Sequence, residues 1–144
     1  MNIALLLALA MLVYAFFGIF TSLAGGKIPA TLSSAILNGL GAALPLIVWQ
    51  IQRMGRGEQI PTTPLGLLFS ALAGLTVAAF SILLVTMYGR GGELSFVFPV
   101  VYGGAIALTA LAGWLALGDT FSWTHLAGVT TIVIGIGLLA VPVK

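Results

Sequence analysis

Long apolar runs without charge are the feature that most constrains how this chain can fold. Only 6% of the 144 residues are charged, whereas 60% are hydrophobic. Soluble domains usually have about a quarter of their residues charged. A charged side chain at the centre of a membrane helix costs about 2.5–3.5 kcal/mol on insertion scales, so the runs predict an integral membrane protein. The charged residues lie between the runs or at the chain end: Lys27, Arg53, Arg56, Glu58, Arg90, Glu93, Asp119 and Lys144.

Five runs are each close to or above the ~20 residues that cross about 30 Å of hydrocarbon as a helix. We predict helices because every backbone group needs a partner inside a bilayer, and the runs lack the alternation of barrel strands. The connections are too short for a soluble domain, so residues 1–144 are predicted to form one all-α transmembrane domain. The predicted helices cover residues 3–24, 31–51, 64–88, 94–117 and 123–141.

The charges next to the spans bear on membrane orientation. Five spans place the two termini on opposite sides, with Arg53 and Arg56 on one side and Lys27, Arg90 and Lys144 on the other. This near-even count means that the positive-inside rule does not choose an orientation. One interpretation is a single orientation set by other signals or a partner. The other, which we favour, is insertion in both orientations and an antiparallel homodimer, because transporter folds are commonly built from inverted repeats.

Polar residues inside the spans are few and fall on helical faces. Asn38 is the only amide or ionisable residue deep inside any span, and in lipid it must find a partner. Contact with another helix and contact with a substrate would both meet this demand. Asn38 shares a helical face with Ser34, Gly41 and Pro45, and on the third span Ser70, Gly74, Ser81 and Tyr88 roughly align.

Two tyrosines, Tyr14 and Tyr102, lie near the middles of their spans, where a phenol needs a hydrogen-bond partner. Pro45 and Pro99 are expected to interrupt their helices and free backbone carbonyls. The aromatic residues near Pro99 can form a pocket wall, although the same residues can equally be lipid-facing packing. The candidate substrate-binding residues are Tyr14, Asn38, Ser95, Phe98, Pro99 and Tyr102.

Residues at the span ends and on the last helix complete the pattern. Trp49, Tyr88, Trp114 and Trp123 lie near span ends, where amphipathic rings favour the membrane interface. Ser122 is a candidate cap for the last helix.

On the last helix, Gly128 and Gly135 are two turns apart and form a flat groove. This groove predicts close helix–helix association, which we assign to the interface between protomers.

The C-terminal part of the chain, residues 65–144, resembles the EamA-type domain of the drug/metabolite transporter superfamily. The resemblance is carried by the segments 91–100 and 111–119 and by the spaced residues Leu126, Gly128, Ile132, Gly135 and Leu138. The last helix is also similar to the glycine-heptad dimerisation helix of small multidrug resistance proteins. The resemblance implies a single unfused five-helix repeat, half of an inverted-repeat carrier that moves small metabolites or drugs by alternating access.

One departure from the family affects the expected substrate. Small multidrug transporters carry a carboxylate within their first span, whereas this chain has no acid inside any span. Glu93 and Asp119 are the nearest acids, and each lies at a membrane edge, where loop solvation explains it. We therefore expect neutral or zwitterionic substrates rather than organic cations exported by proton coupling.

The leading hypothesis is thus a transporter in a bacterial or archaeal cytoplasmic membrane, acting on a small-molecule substrate as an antiparallel homodimer surrounded by lipid. Two alternatives are a subunit of a hetero-oligomeric lipid-linked-sugar flippase and a non-transporting membrane assembly protein. An enzyme is not expected, because the single His125 has no metal-ligand spacing and the chain has no Cys. No cofactor, metal or nucleic-acid partner is expected, since the basic residues are dispersed.

Overall fold

The computed structural model describes residues 3–56, 62–120 and 122–139, and its secondary structure in these residues is entirely helical, without strands. The all-helical prediction is therefore confirmed. Five helices follow one another along the chain, and they are α1 Ile3–Ala24, α2 Ala30–Arg56, α3 Pro64–Gly89, α4 Leu94–Ala116 and α5 Trp123–Leu139.

The helices α2, α3 and α4 differ from their predicted bounds, by five residues at the end of α2 and by one residue elsewhere. The ends of α2 and α4 have local explanations. The second helix continues to Arg56 rather than ending at residue 51, because Gln52, Arg53 and Met54 favour a helix and nothing before Gly55 breaks it. The fourth helix ends at Ala116 because Gly118 adopts a left-handed φ of 74°. This turn lets the backbone N–H of Asp119 donate to the Gly113 carbonyl at 3.0 Å. Residues 140 and 141 of the last predicted helix lie outside the described residues.

The first four helices are long and apolar enough to cross a membrane, and they indicate an integral membrane protein. The described part of α5 has 17 residues, or about 25 Å at 1.5 Å per residue, which is less than the ~30 Å of a hydrocarbon core. Five helices are thus present, but only four of them reach the length of a membrane span in the described residues.

The two internal prolines do not break their helices. Both α2 and α4 continue through Pro45 and Pro99 as single α-helices, so the predicted interruption is wrong. What each proline does remove is one backbone N–H, and the carbonyl four residues earlier loses its usual partner. These carbonyls belong to Gly41 and Ser95.

Contacts between the helices divide the chain into two compact units, Met1–Gly91 and Gly92–Lys144. We refer to them as unit 1, with α1, α2 and α3, and unit 2, with α4 and α5. The prediction of one domain over residues 1–144 stays a prediction.

In unit 1, α3 contacts both α1 and α2, and the packing is concentrated at one end. We call this the packed end and define it as residues 17–38 and 78–91. It contains the buried residues Gly18, Thr21, Ser33, Ser34, Ser81, Leu84, Val85 and Tyr88. Every residue from 39 to 55 and from 62 to 77 is exposed. Most of these exposed residues are apolar, as expected for helices that face lipid.

Glycines allow α1 and α3 to meet closely at the packed end. A Cβ atom on Gly25 would lie 2.5 Å from the Cβ of Tyr88, a distance that leaves no room for a side chain. The next glycine, Gly26, has a φ of 72°, and a Cβ on it would lie 3.6 Å from the Cα of Gly89. The chain thus passes from α1 to α2 directly against the end of α3.

In unit 2, α4 and α5 meet at an apolar contact around Gly103. Gly103 of α4 is buried, and a Cβ on it would lie 2.7 Å from the Cδ1 of Ile136 and 3.4 Å from the Cγ2 of Ile132. Gly103 and Ala107 are both buried and one helical turn apart, a pairing of small residues that lets helices approach in membranes. The isoleucines of α5 fill the space that these small residues leave.

Candidate functional site

The most polar feature inside unit 1 is a hydrogen-bonded cluster of Ser34, Asn38 and Ser81. The amide nitrogen of Asn38 donates to the Ser34 carbonyl at 2.7 Å and to the Ser81 hydroxyl oxygen at 2.9 Å. The Ser34 hydroxyl oxygen lies 3.2 Å from the same nitrogen. The two serine hydroxyls form a short hydrogen bond with each other. We call these three residues the polar cluster.

The helices place these groups together for a simple geometric reason. Ser34 and Asn38 are four residues apart on α2 and therefore share a face. Ser81 lies opposite them on α3, and its hydroxyl also donates to the Ala78 carbonyl at 2.8 Å. The Ser34 hydroxyl lies 3.3 Å from that carbonyl as well. Each of the three side chains thus has at least one hydrogen-bond partner, as a polar group removed from water requires.

The polar cluster carries no charge, and this limits its chemistry. Hydroxyl and carboxamide groups accept and donate hydrogen bonds, but they do not exchange protons near neutral pH. Both Ser34 and Ser81 are buried, whereas Asn38 is half-buried. The cluster joins α2 to α3, and Asn38 is its only member that remains partly accessible. The prediction that Asn38 contacts substrate stays a prediction.

A cavity of about 300 Å³ lies beside the polar cluster, between α1 and α2. This volume is at the lower end of the range for small-molecule pockets. Its walls are apolar apart from two hydroxyl-bearing residues, Thr21 and Ser33, and the Thr21 hydroxyl already donates to the Phe17 carbonyl at 2.7 Å. The lining residues are Phe17, Phe20, Thr21, Ala24, Ile28, Ser33, Ile36 and Leu37. No ionisable side chain is among them.

Tyr88 departs from its predicted role as an interface anchor. The residue is only 6% exposed, and its hydroxyl is buried without a hydrogen-bond partner among the described residues. Gly25 removes the side chain that would otherwise occupy the space against the Tyr88 Cβ. By contrast, Trp49, Trp114 and Trp123 are exposed, as anchors in the interface would be, and the Arg53 guanidinium lies 5.5 Å from the Trp49 ring.

The other predicted substrate residues are divided between the two units. In unit 1, Tyr14 is 46% exposed, and its ring stacks on Phe17 at a centroid distance of 5.5 Å. In unit 2, the rings of Phe98 and Tyr102 lie 4.2 Å apart. Ser95 and Pro99 on the same helix are exposed. The structure thus brings Phe98 and Tyr102 into direct contact, as the proposed aromatic wall requires, while the prediction of substrate contact stays untested.

The two glycines predicted to form a dimer interface have free space beside them among the described residues. A Cβ atom on Gly128 or Gly135 would meet no atom within 4 Å. The contact with α4 instead uses Ile132 and Ile136 on α5. The prediction that Gly128 and Gly135 lie between protomers is therefore compatible with this packing and stays a prediction.

His125 takes part in capping α5. The Ser122 backbone N–H lies 3.2 Å from the His125 Nδ1 atom, and the His125 backbone N–H donates to the Ser122 hydroxyl at 3.3 Å. This reciprocal arrangement is a capping box in which a histidine occupies the position usually held by Glu or Gln. The predicted cap at Ser122 is confirmed, and the close Ser122–His125 pair has a structural explanation.

Sequence reasoning did not identify Ser81 as the partner of Asn38, nor did it identify the cavity. The alignment of Ser81 with Ser70, Gly74 and Tyr88 indicated a shared helical face on the third span. It did not indicate which of the four residues faces α2. Only Ser81 and Tyr88 of these four residues are buried. The cavity residues are mostly apolar and cannot be told from lipid-facing residues without the arrangement of the helices.

Comparisons with protein-family models, curated proteins and solved structures gave no match to this chain. The likeness to EamA-type domains therefore rests on the residues of the sequence alone.

Proposed function

We propose that the chain is one protomer of a membrane transporter that moves a small neutral or zwitterionic solute by alternating access, in a bacterial or archaeal cytoplasmic membrane. The observation that carries the proposal is an uncharged polar cluster inside a unit of otherwise apolar, membrane-length helices. Polar residues within membrane helices are costly, and they commonly mark a solute pathway or a contact between helices. Asn38 is the member of the cluster with accessible surface.

The scarcity of charged residues in the helices favours a neutral or zwitterionic substrate. Arg53 and Arg56 lie at the end of α2, and the helices α1, α3, α4 and α5 contain no Asp, Glu, Lys or Arg. A charged solute would lack a buried counter-charge, whereas a neutral solute needs only hydrogen bonds and apolar contact. The Phe98–Tyr102 ring pair is a second group suited to such a solute, since aromatic rings offer apolar contact area.

Charge and packing both support an antiparallel homodimer as the arrangement that we propose. The basic residues are almost evenly divided between the two sides of five spans, so neither orientation is strongly preferred. A Cβ atom on Gly128 or Gly135 would meet no atom of the described residues within 4 Å, which leaves room there for a second α5 helix. The length of α5 matters here, because the termini lie on opposite sides only if this helix also crosses the bilayer.

Solute flux into proteoliposomes containing the purified chain tests the proposal. A panel of amino acids, sugars and quaternary cations should include a neutral or zwitterionic compound that is transported. We expect Asn38→Ala and Tyr102→Ala each to abolish flux, with expression and dimerisation unchanged. Thr76→Ala is the matched control, because the Thr76 hydroxyl bonds only within its own helix, to Ala73. Normal flux in both Asn38→Ala and Tyr102→Ala would count against these residues as substrate contacts.

Orientation is tested separately by tags on either terminus whose accessibility is measured from each side of the membrane. Dual insertion predicts that each tag appears on both sides at comparable levels. A single dominant location would rule out the antiparallel homodimer. The transport proposal would then require a different partner or a parallel arrangement.

A second candidate function, a non-transporting assembly protein, is favoured by one specific observation. The Asn38 amide nitrogen already bonds to Ser34 and Ser81, which is what a purely structural role requires. This function predicts that no compound of the panel raises the unfolding temperature of the purified protein, whereas a transported solute should stabilise it.

A further inference from the structure

Two cations lie at the packed end of unit 1, next to the cavity. Gly26 and Gly89 lie side by side there, since a Cβ atom on Gly89 would be 3.2 Å from the Gly26 backbone nitrogen. Lys27 directly follows the first glycine and Arg90 directly follows the second, so the contact places two basic residues at the same end of the unit. Both residues are exposed.

The chain connects this basic pair to the cavity. Lys27 lies between Ala24 and Ile28, both of which line the cavity. The other lining residues, which include Phe20 and Ile36, lie on α1 and α2. An apolar space therefore begins next to two positive charges at the end of the transmembrane helices, where lipid headgroups meet hydrocarbon.

We propose that this site binds one anionic phospholipid, with an acyl chain in the cavity and the phosphate close to Lys27 and Arg90. The Thr21 hydroxyl is already bonded to Phe17, so the cavity offers water few partners, and a hydrocarbon chain suits it better. Basic residues near the membrane surface attract anionic lipids by about 1 kcal/mol per charge. The cavity alone would accept any acyl chain, and the two cations select the headgroup.

This inference goes beyond the transport proposal, because a bound lipid at the packed end does not require solute flux. The transported solute is expected to be neutral or zwitterionic, whereas the lipid carries a negative charge. The two proposals can therefore fail independently. Loss of lipid binding in a variant that still transports solute would separate them.

The first experiment measures the unfolding temperature of the full chain in an uncharged detergent. Phosphatidylglycerol should raise it, and phosphatidylcholine with the same acyl chains should raise it much less. Inorganic phosphate should have no effect, because it lacks the chain that fills the cavity. An equal shift with phosphatidylcholine would overturn the role of the basic pair. An equal shift with inorganic phosphate would show a free-anion site and overturn the lipid assignment.

Variants of the basic pair and of the cavity test the two parts of the site separately. The measured quantity is the affinity for phosphatidylglycerol. The double variant Lys27→Gln/Arg90→Gln should weaken binding about 30-fold, which corresponds to two charges at about 1 kcal/mol each. The backbone hydrogen bonds that end α3 at Arg90 do not depend on the replaced side chain. Arg53→Gln removes an exposed cation outside the packed end and should leave the affinity unchanged.

Ala24→Phe should fill part of the cavity and reduce phosphatidylglycerol binding while keeping both cations. Unchanged binding in this variant would place the acyl chain elsewhere and overturn the use of the cavity. Ala35→Phe is the matched control, because Ala35 is exposed on α2 and does not line the cavity. If Ala24→Phe does not fold, the charge variants decide the proposal, since unchanged affinity in Lys27→Gln/Arg90→Gln would overturn it.

Discussion

Units 1 and 2 hold their helices together by different contacts. In unit 1, α2 and α3 are joined by the hydrogen bonds of Ser34, Asn38 and Ser81, while α1 and α3 meet at glycines. In unit 2, α4 and α5 are joined where Ile132 and Ile136 lie against Gly103, without a polar side chain at that contact. Both units are apolar on the outside, so the difference is confined to what lies between the helices.

The difference matters because lipid tails are as apolar as leucine, and burial of apolar surface gives little net drive for helices to associate in a bilayer. A contact such as that of unit 2 then depends on close fit between side chains. Hydrogen bonds as in unit 1 add a directional requirement, because only one register satisfies all three residues. We therefore expect unit 1 to resist sliding of its helices more than unit 2.

The largest expected effect is at the contact between α1 and α3. Gly25→Ala places a Cβ 2.5 Å from the Tyr88 Cβ and 3.0 Å from its backbone carbon, and neither atom can move without shifting α3. We expect a loss of about 1–3 kcal/mol in the free energy of unfolding, as for overpacked cores. Unfolding in mixed micelles measures it. Gly39→Ala is the control, because its Cβ would meet nothing within 4 Å, and equal effects of the two variants would contradict the close contact.

The next largest effect is at the polar cluster. A double-mutant cycle of Asn38→Ala and Ser81→Ala should give a coupling free energy of about 0.6 kcal/mol, the average for hydrogen bonds between membrane helices, and at most about 1.7 kcal/mol. The reason is the bond of 2.9 Å that joins the two side chains across α2 and α3. Mixed-micelle unfolding of the four proteins gives the value. Simple additivity would show that the bond does not stabilise unit 1, and the contrast with unit 2 would then disappear.

A smaller effect is expected at the contact between α4 and α5. Gly103→Ala brings a Cβ to 2.7 Å from the Cδ1 of Ile136, but this atom is the far end of a side chain that can rotate. We expect a loss of about 0.5 kcal/mol, the low end of what an off-rotamer side chain costs. Ile136→Val removes Cδ1 and should restore part of the loss in the double variant. A loss as large as that of Gly25→Ala would show that unit 2 is packed as rigidly as unit 1.

The smallest effect is expected for Tyr88→Phe. The Tyr88 hydroxyl is buried without a partner among the described residues, so its removal breaks no hydrogen bond and relieves a desolvated polar group. The unfolding free energy should stay the same or rise by up to about 1 kcal/mol. Thermal unfolding in detergent is sufficient to measure it. A clear loss of stability would reveal a partner outside the described residues.

Much of the fold could be predicted from the sequence because the solvent imposes it. Apolar runs of membrane length must be helical in lipid, and turn residues such as Gly118 mark where the helices end. The burial of Tyr88 could not be predicted in this way. A tyrosine near a span end is usually at the interface, and only Gly25, which directly follows α1, creates the space that buries Tyr88.

The candidate site shows the same limit. The demand of Asn38 for a partner is evident from the sequence, because an amide in lipid cannot remain unpaired. The identity of that partner depends on which turn of α3 lies beside which turn of α2, and the sequence offered Ser70 and Ser81 on roughly one face. The structure places Ser81 at Asn38 and leaves Ser70 exposed.

The sequence by itself determined that this chain is helical, that its charges lie outside the apolar runs and that Asn38 needs a hydrogen-bond partner. Each of these follows from local composition and from the cost of polar groups in hydrocarbon. The tertiary structure alone decided that Ser81 is that partner, that a cavity lies between α1 and α2, and that Lys27 and Arg90 follow two touching glycines. These features depend on how separate helices approach one another, and in a bilayer that approach is set by side-chain fit rather than by hydrophobicity.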